Sequence, residues 1–148
     1  MVRSPPETAT VCVSMGVPCH VSRRDVPREA AEAGRTFEDY ARDVRYAFLV
    51  ATAKSRRCAA LATAHHADDQ AETVLMRIIR GTSLRGLAAI PPVRRAEDVC
   101  IVRPLMALSR DQILAWCGER NIAYRHDRSN DDTRHLRNRV RHDLLPRL

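Results

Sequence analysis

Apolar residues repeat at helical spacing in a few stretches of the chain, and short unbroken apolar runs lie between them. Phe37, Tyr40, Val44, Phe48 and Ala51 form one stripe, and Thr36 with Asp39 three residues on makes an imperfect capping box that opens this helix. A second helix follows the segment HHADDQAET, carries Val74, Leu75, Ile78 and Ile79, and stops at Gly81. A third opens at Ser109, where Gln112 completes a capping box, and runs through Glu119. Residues 7–15 and 28–33 are weaker helical candidates, closed by Gly16 and Gly34, and a short basic helix over 136–145 is broken by Pro146. Between the helices, Cys19–Val21, CAALATA at 58–64 and VCIVRPL at 99–105 read as strands, the second of them buried. Residues 81–98, with two glycines and a Pro-Pro, read as a loop. Strands alternating with helices predict an α/β fold with a mainly parallel sheet.

Composition narrows the class. The 148 residues are 45% hydrophobic and 29% charged, which suits one globular domain and excludes a disordered chain. No apolar run approaches the roughly 20 residues of a membrane helix, and MVRSPPETAT has no apolar segment behind its Arg, so it does not read as a secretory signal. The five cysteines are odd in number, widely spaced and without a CxxC, against zinc ribbons and thioredoxin-like pairs. Cys58, Cys100 and Cys117 are expected to be buried thiols in a reducing cytosol, so the expected location is cytoplasmic. The net charge of +7 and a pI near 9.8 call for an anionic partner. The charge is uneven: residues 36–72 carry −1 and residues 120–148 carry +4.

The turn from a strand into a helix N-terminus is the favoured ligand position in α/β sheets. Here it holds His65, His66, Asp68, Asp69 and Glu72. Glu72 lies four residues from Asp68 and three from Asp69, so the three carboxylates can share one face of the first helical turns. Such a set can hold Mg²⁺ through oxygen or bind a cationic amine; singly, each acid also suits the helix dipole alone. A second constellation, DRSNDDTRHLRNRVR at 127–141, sets Arg134, Arg137 and Arg141 on one helical face beside Ser and Asn donors, which suits phosphate or carboxylate and equally an exposed face paired with Asp127, Asp131 and Asp132. The chain has no GxxxxGK[ST] and no GxGxxG.

With these motifs the sequence resembles the tRNA(Ile)-lysidine synthetases, of the PP-loop ATP-pyrophosphatase group. Their H-x-x-D-D-Q-x-E-T falls on His65, Asp68, Asp69, Gln70, Glu72 and Thr73. RGTSLRGLAAI at 80–90 is similar to R-G-x-G-x-x-G-L-x-G-I, with Ser83 and Ala89 in place of glycines, and VRPL at 102–105 to the family's R-P-L strand. Asp127, Ser129, Asn130, Asp132, Arg137, Asn138 and Arg141 match D-x-S-N-x-D-x-x-x-x-R-N-x-x-R.

The resemblance implies a Rossmann-like sheet with flanking helices and a tRNA-modifying ligase. ATP with Mg²⁺ adenylylates the 2-carbonyl of the wobble cytidine in tRNA(Ile), and the ε-amine of free L-lysine displaces AMP. On this reading Asp69 and Glu72 hold the lysine ammonium, Glu72 or His65 accepts its proton, and Arg137 meets the leaving phosphate. Asp68, Thr73, Arg80, Arg103, Asp127, Ser129, Asn130, Asn138 and Arg141 bind substrate or nucleotide, and Asp68 with Asp69 is the metal candidate. The family's S-G-G-x-D-S loop does not occur in these residues, so residues 1–148 are expected to be an N-terminally truncated part of the catalytic domain, inactive by itself. A gene fragment, a mis-called start and a degenerate copy all fit. The competing readings are a non-catalytic or RNA-binding remnant, another PP-loop tRNA modifier such as a thiolase, and a carboxylate–histidine metallohydrolase.

Overall fold

The structure, a computed structural model, describes residues 6–124, 132–133 and 135–148. In chain order its elements are α1 (Pro6–Ser14), α2 (Val26–Glu32), α3 (Phe37–Ser55), β1 (Leu61–Ala62), α4 (Ala67–Arg80), α5 (Leu84–Leu87), β2 (Val93–Ala96), β3 (Val99–Val102), α6 (Arg110–Glu119) and α7 (Leu136–Arg139). A π turn, Val140–Leu144, and a 3-10 turn, Leu145–Arg147, continue α7. The strands form one sheet in the order β1–β3–β2. The chain divides into two compact units, Met1–Leu61 with Ala96–Val99, and Ala62–Arg95 with Cys100–Leu148. No helix among the described residues is long and apolar enough to cross a membrane.

In the first unit α2 packs against α3. Pro27 stands in the first turn of α2, where its missing N–H costs nothing, and Val26 and Ala30 are buried. Thr36 caps α3: its hydroxyl accepts from the Asp39 N–H at 3.3 Å and donates to the Asp39 carboxylate at 2.9 Å. The core is Val50, Ala53 and Val99, with Leu61 and Ala96 against it. The expected stripe is displaced from this core. Phe37 is exposed, and Phe37, Val44 and Phe48 instead line a groove of ≈ 410 Å³ with His20, Arg24 and Arg45. Lys54 pairs with Glu97 and Asp98 at the tip of the hairpin, and the hydrogen bond to Glu97 raises its pKa.

In the second unit α4 is the longest helix, closed by Gly81 at φ 74°, a left-handed conformation that favours glycine. α6 carries the complete Ser109–Gln112 capping box. The loop from 81 to 90 is held onto α4. Gln70 accepts from the Ile90 N–H at 2.8 Å and donates to the Ala88 carbonyl at 3.3 Å, while Arg77 donates to the Gly86 carbonyl. A Cβ at Gly86 would lie 1.8 Å from Thr82 Oγ1, so a larger residue there would force the Thr82 side chain to move.

The α/β class and its flanking helices hold, with differences in the strands. Residues 17–25 form no strand at Cys19–Val21 and are exposed. The 58–64 run contributes only Leu61–Ala62, and Cys58–Ala60 are exposed, because β1 is an edge strand with one neighbour to cover it. The loop expected at 81–98 contains β2. Its sequence, VRRA, is polar and mostly exposed, so no apolar run marks it. Two residues, Glu97 and Asp98, join β2 to β3, and so short a connection makes that pair antiparallel rather than parallel. Nor are the thiols uniformly buried: Cys58 is exposed, and Cys100 and Cys117 are half-buried.

Candidate functional site

The site grows from the first turns of α4. The His66 N–H donates to Asp69 Oδ2 at 3.1 Å, which closes the helix start and fixes the Asp69 carboxylate. One turn on, Glu72 occupies the inward face. It is the only buried residue of α4 and is 0% exposed, while Ile78 and Ile79 of the expected apolar face are more than half exposed. A buried carboxylate needs partners for both oxygens. Glu72 finds them on the C-terminal segment, which packs against α4. Arg137 Nε donates to Oε2 at 2.5 Å and Arg141 Nε to Oε1 at 2.6 Å. Arg137 also donates through Nη2 to Asp69 Oδ1 at 2.6 Å. The hydrogen bond to Glu72 raises the Arg141 pKa, against the opposing effect of burial, and the charges of Glu72, Asp69 and Asp68 add to the rise.

Asp69, Glu72, Arg137 and Arg141 therefore form one connected cluster of two carboxylates and two guanidiniums. Its exposure is graded: the side chains of Glu72, Asp69, Arg141 and Arg137 are 0, 16, 19 and 41% accessible. The spacing of the acids and of Arg137 with Arg141 predicts two faces, and the structure joins them. It also shows where Glu72 sits. Its carboxylate is buried, with both oxygens engaged by guanidiniums, so in this arrangement it holds the two arginines together.

The other expected residues take several places. Asp68 turns away from the cluster, and its Oδ2 accepts the Arg110 N–H at 2.8 Å, capping α6. His65 Nδ1 is paired with Thr63 Oγ1 at 2.9 Å, and the Thr73 hydroxyl donates to the Asp69 carbonyl at 2.7 Å. Arg80 is exposed in the last turn of α4, eleven residues from Asp69, which at ~1.5 Å per residue places it three turns from the cluster. Arg103 is buried, donating to the Pro91 carbonyl, and its Nε has no hydrogen-bond partner among the described residues. Asn138 is buried and donates to the Asp132 carbonyl at 2.9 Å. Asp127, Ser129 and Asn130 lie outside the described residues, as do Asp131 and Arg134. Two residues that the sequence named without assigning them a part in the chemistry matter here. His66 lies between the acids, 3.4 Å from Asp68 and 3.6 Å from Asp69, and Gln70 ties down the 88–90 loop. The signal for Gln70 was its place in the HxxDDQxET pattern.

Asp68 and Asp69 do not turn their oxygens toward one common point in this arrangement. A magnesium ion is commonly bound by one or two carboxylates together with substrate phosphates. Both oxygens of Asp69 accept from N–H donors, one of them a cation, and Asp68 is engaged with α6. Among the described residues no three His, Cys, Asp or Glu side chains converge on a metal position. The cluster is instead suited to a zwitterionic or anionic ligand, since a half-exposed guanidinium stands beside a partly exposed carboxylate.

Known proteins with the same sequence features place these residues in context. The chain is 42% identical over 135 residues to a tRNA(Ile)-lysidine synthase of Bacillus licheniformis, covering 91% of this chain and 28% of that protein. It is 46% identical over 129 residues to the tRNA(Ile)-lysidine synthase of Geobacter sulfurreducens, covering 86% and 27%. It is 38% identical over 136 residues to that of Thermotoga maritima, covering 92% and 32%. The chain thus spans about a third or less of the length of these curated relatives. Across the chain itself, residues 4–148 match the family described as the PP-loop domain, so all described elements and the whole Asp69–Glu72–Arg137–Arg141 cluster belong to a PP-loop domain protein.

Proposed function

We propose that the chain is part of the catalytic domain of a cytoplasmic tRNA(Ile)-lysidine synthase, which uses ATP to join L-lysine to the wobble cytidine of tRNA(Ile) through an adenylylated intermediate. The observation that carries this reading is the Arg137 guanidinium held by Asp69 and Glu72 at the start of α4. Ligation of an amine to an activated carbonyl needs a carboxylate to hold the ammonium and a cation to take charge from the departing phosphate. Asp69 supplies the first and Arg137 the second. Glu72 and Arg141 lie behind them and keep Arg137 in place, so that little reorganisation is needed when charge develops. His65, steadied by Thr63, is the group on this reading that takes the proton from the lysine amine. Arg103, a buried cation whose Nε has no hydrogen-bond partner among the described residues, is a further group for an anion on this reading.

The 148 residues contain no S-G-G-x-D-S segment. Positioned donors to a developing oxyanion are worth about 10²–10³ in rate each, so these residues alone are inactive on this reading. The test is AMP release and lysidine formation with ATP, L-lysine and tRNA(Ile). The chain alone should show neither, and a protein in which the family's N-terminal strands and phosphate loop precede it should show both. Lysidine formation by the 148 residues alone, or none by the extended protein, would overturn the reading.

A further inference from the structure

Arg137 holds its two carboxylates with one edge of its guanidinium. Nε goes to the fully buried Glu72 and Nη2 to the partly exposed Asp69. No described residue is bonded to Nη1, and the side chain is 41% accessible. The two tethers are therefore unequal. The Glu72 contact is sealed from water, and a second guanidinium, that of Arg141, shares the same carboxylate. The Asp69 contact is closer to solvent and more readily exchanged for another anion.

Charge makes the exchange directional. Within the four paired side chains each guanidinium is matched by a carboxylate, and Asp68 adds a further negative charge that acts on Arg141. An ammonium arriving at Asp69 alone would have to displace a guanidinium from the carboxylate that it needs. A polyanion arriving at Arg137 would take the Nη1–Nη2 edge, the pair best shaped for two phosphate oxygens. It would uncover Asp69 Oδ1 at the same moment. Each ligand thus removes the obstacle to the other.

We propose that Arg137 is an exchangeable cover on Asp69: pinned by Glu72, it shifts from Asp69 to the phosphate groups of a nucleotide and so admits the ammonium of the amine substrate only once the polyanion is bound. This rests on the reading of the cluster as the site where amine and phosphate meet. It assigns Arg137 a second task, control of the order of binding. Coupling between sites of this kind is reciprocal and typically worth about 5- to 150-fold in affinity.

Calorimetric titration of the 148-residue chain with L-lysine, at fixed ionic strength and with or without inorganic pyrophosphate, tests the proposal. Pyrophosphate should tighten lysine binding at least about fivefold, and lysine should tighten pyrophosphate by the same factor. Arg137→Gln should bind lysine without pyrophosphate and lose the coupling. Asp69→Asn should bind pyrophosphate more tightly than the parent chain, because Nη2 is released, and a merely damaged site would not gain affinity. If both ligands bind with no mutual effect or with antagonism, or if Asp69→Asn weakens pyrophosphate, the cover is refuted while the site stands. If neither ligand binds, the reading of the cluster as an amine–phosphate site falls and the cover with it.

Discussion

Arg141 donates its Nε proton to Oε1 of Glu72 at 2.6 Å across 69 residues of sequence, and Glu72 is the most deeply buried charged group among the described residues. This contact, with that of Arg137 to the other oxygen, ties the C-terminal segment to α4. Two guanidiniums on one carboxylate mean that its removal takes the shared buried anion from both, leaving Arg137 its contact with Asp69, whereas loss of either arginine leaves the carboxylate one partner.

Glu72→Gln should therefore destabilise the chain more than Arg141→Gln or Arg137→Gln. Breaking a buried ion pair from one side costs about 3–5 kcal/mol. The check is the urea midpoint of the three variants, together with the rate of proteolysis after Arg139 and Arg141. Equal midpoints for parent and Glu72→Gln would remove Glu72 from its structural part.

Asp68→Ala should behave as the loss of a helix cap. The parent carboxylate accepts the first N–H of α6, and losing such a cap costs about 0.5–2 kcal/mol. Thermal melting with and without Mg²⁺ should show that drop and no difference between the two chains in their response to the ion. A magnesium-dependent stabilisation present in the parent and absent in the variant would restore Asp68 as a metal ligand.

Ala89 occupies φ 47° where the resembling pattern has glycine, and its side chain is buried. A non-glycine residue in this left-handed region costs roughly 1–2 kcal/mol. Ala89→Gly relieves that strain and loses one buried methyl, about 0.8 kcal/mol, so the net change should lie within about 1 kcal/mol of zero. Ala53→Gly, equally buried but inside α3, has no strain to relieve and loses helix propensity of about 1 kcal/mol as well. Chemical denaturation of both variants should find Ala53→Gly clearly the worse. Equal losses would mean that the 89 position is not strained.

Glu29 accepts from both Arg24 Nε at 2.8 Å and Nη2 at 2.7 Å, and this hydrogen bonding holds its carboxyl below the ordinary 4.5, against a smaller opposing effect of burial. Because the folded value is the lower one, the pair contributes above the unfolded value and its contribution disappears as pH falls through the folded value. Glu29→Gln should reduce the acid dependence of stability below about pH 5 and leave it unchanged at neutral pH and above. Urea midpoints measured from pH 7 to 3, repeated in high salt to screen the pair, check this. An unchanged acid slope in Glu29→Gln would show that Arg24 contributes nothing through Glu29.

The sequence by itself determined the local features. The starts of α3 and α6 were legible in Thr36–Asp39 and Ser109–Gln112, and the end of α4 in Gly81, because capping and left-handed stops depend on residues three or four apart. It also put Asp69, Glu72, Arg137 and Arg141 among the residues of interest, through spacing and through the family pattern. Tertiary structure alone decided what those side chains do. Glu72 reads from spacing as one of three carboxylates sharing a helix face, and only the packing of residues 136–144 against α4 buries it and supplies both its partners. Asp68 and Asp69 are adjacent in sequence yet serve different elements, α6 and α7, because successive helical residues point about 100° apart. The strands were the least legible part. Burial of an apolar run such as 58–64, or pairing of a polar one such as 93–96, depends on which neighbour the fold places beside it, and that neighbour is distant in the chain.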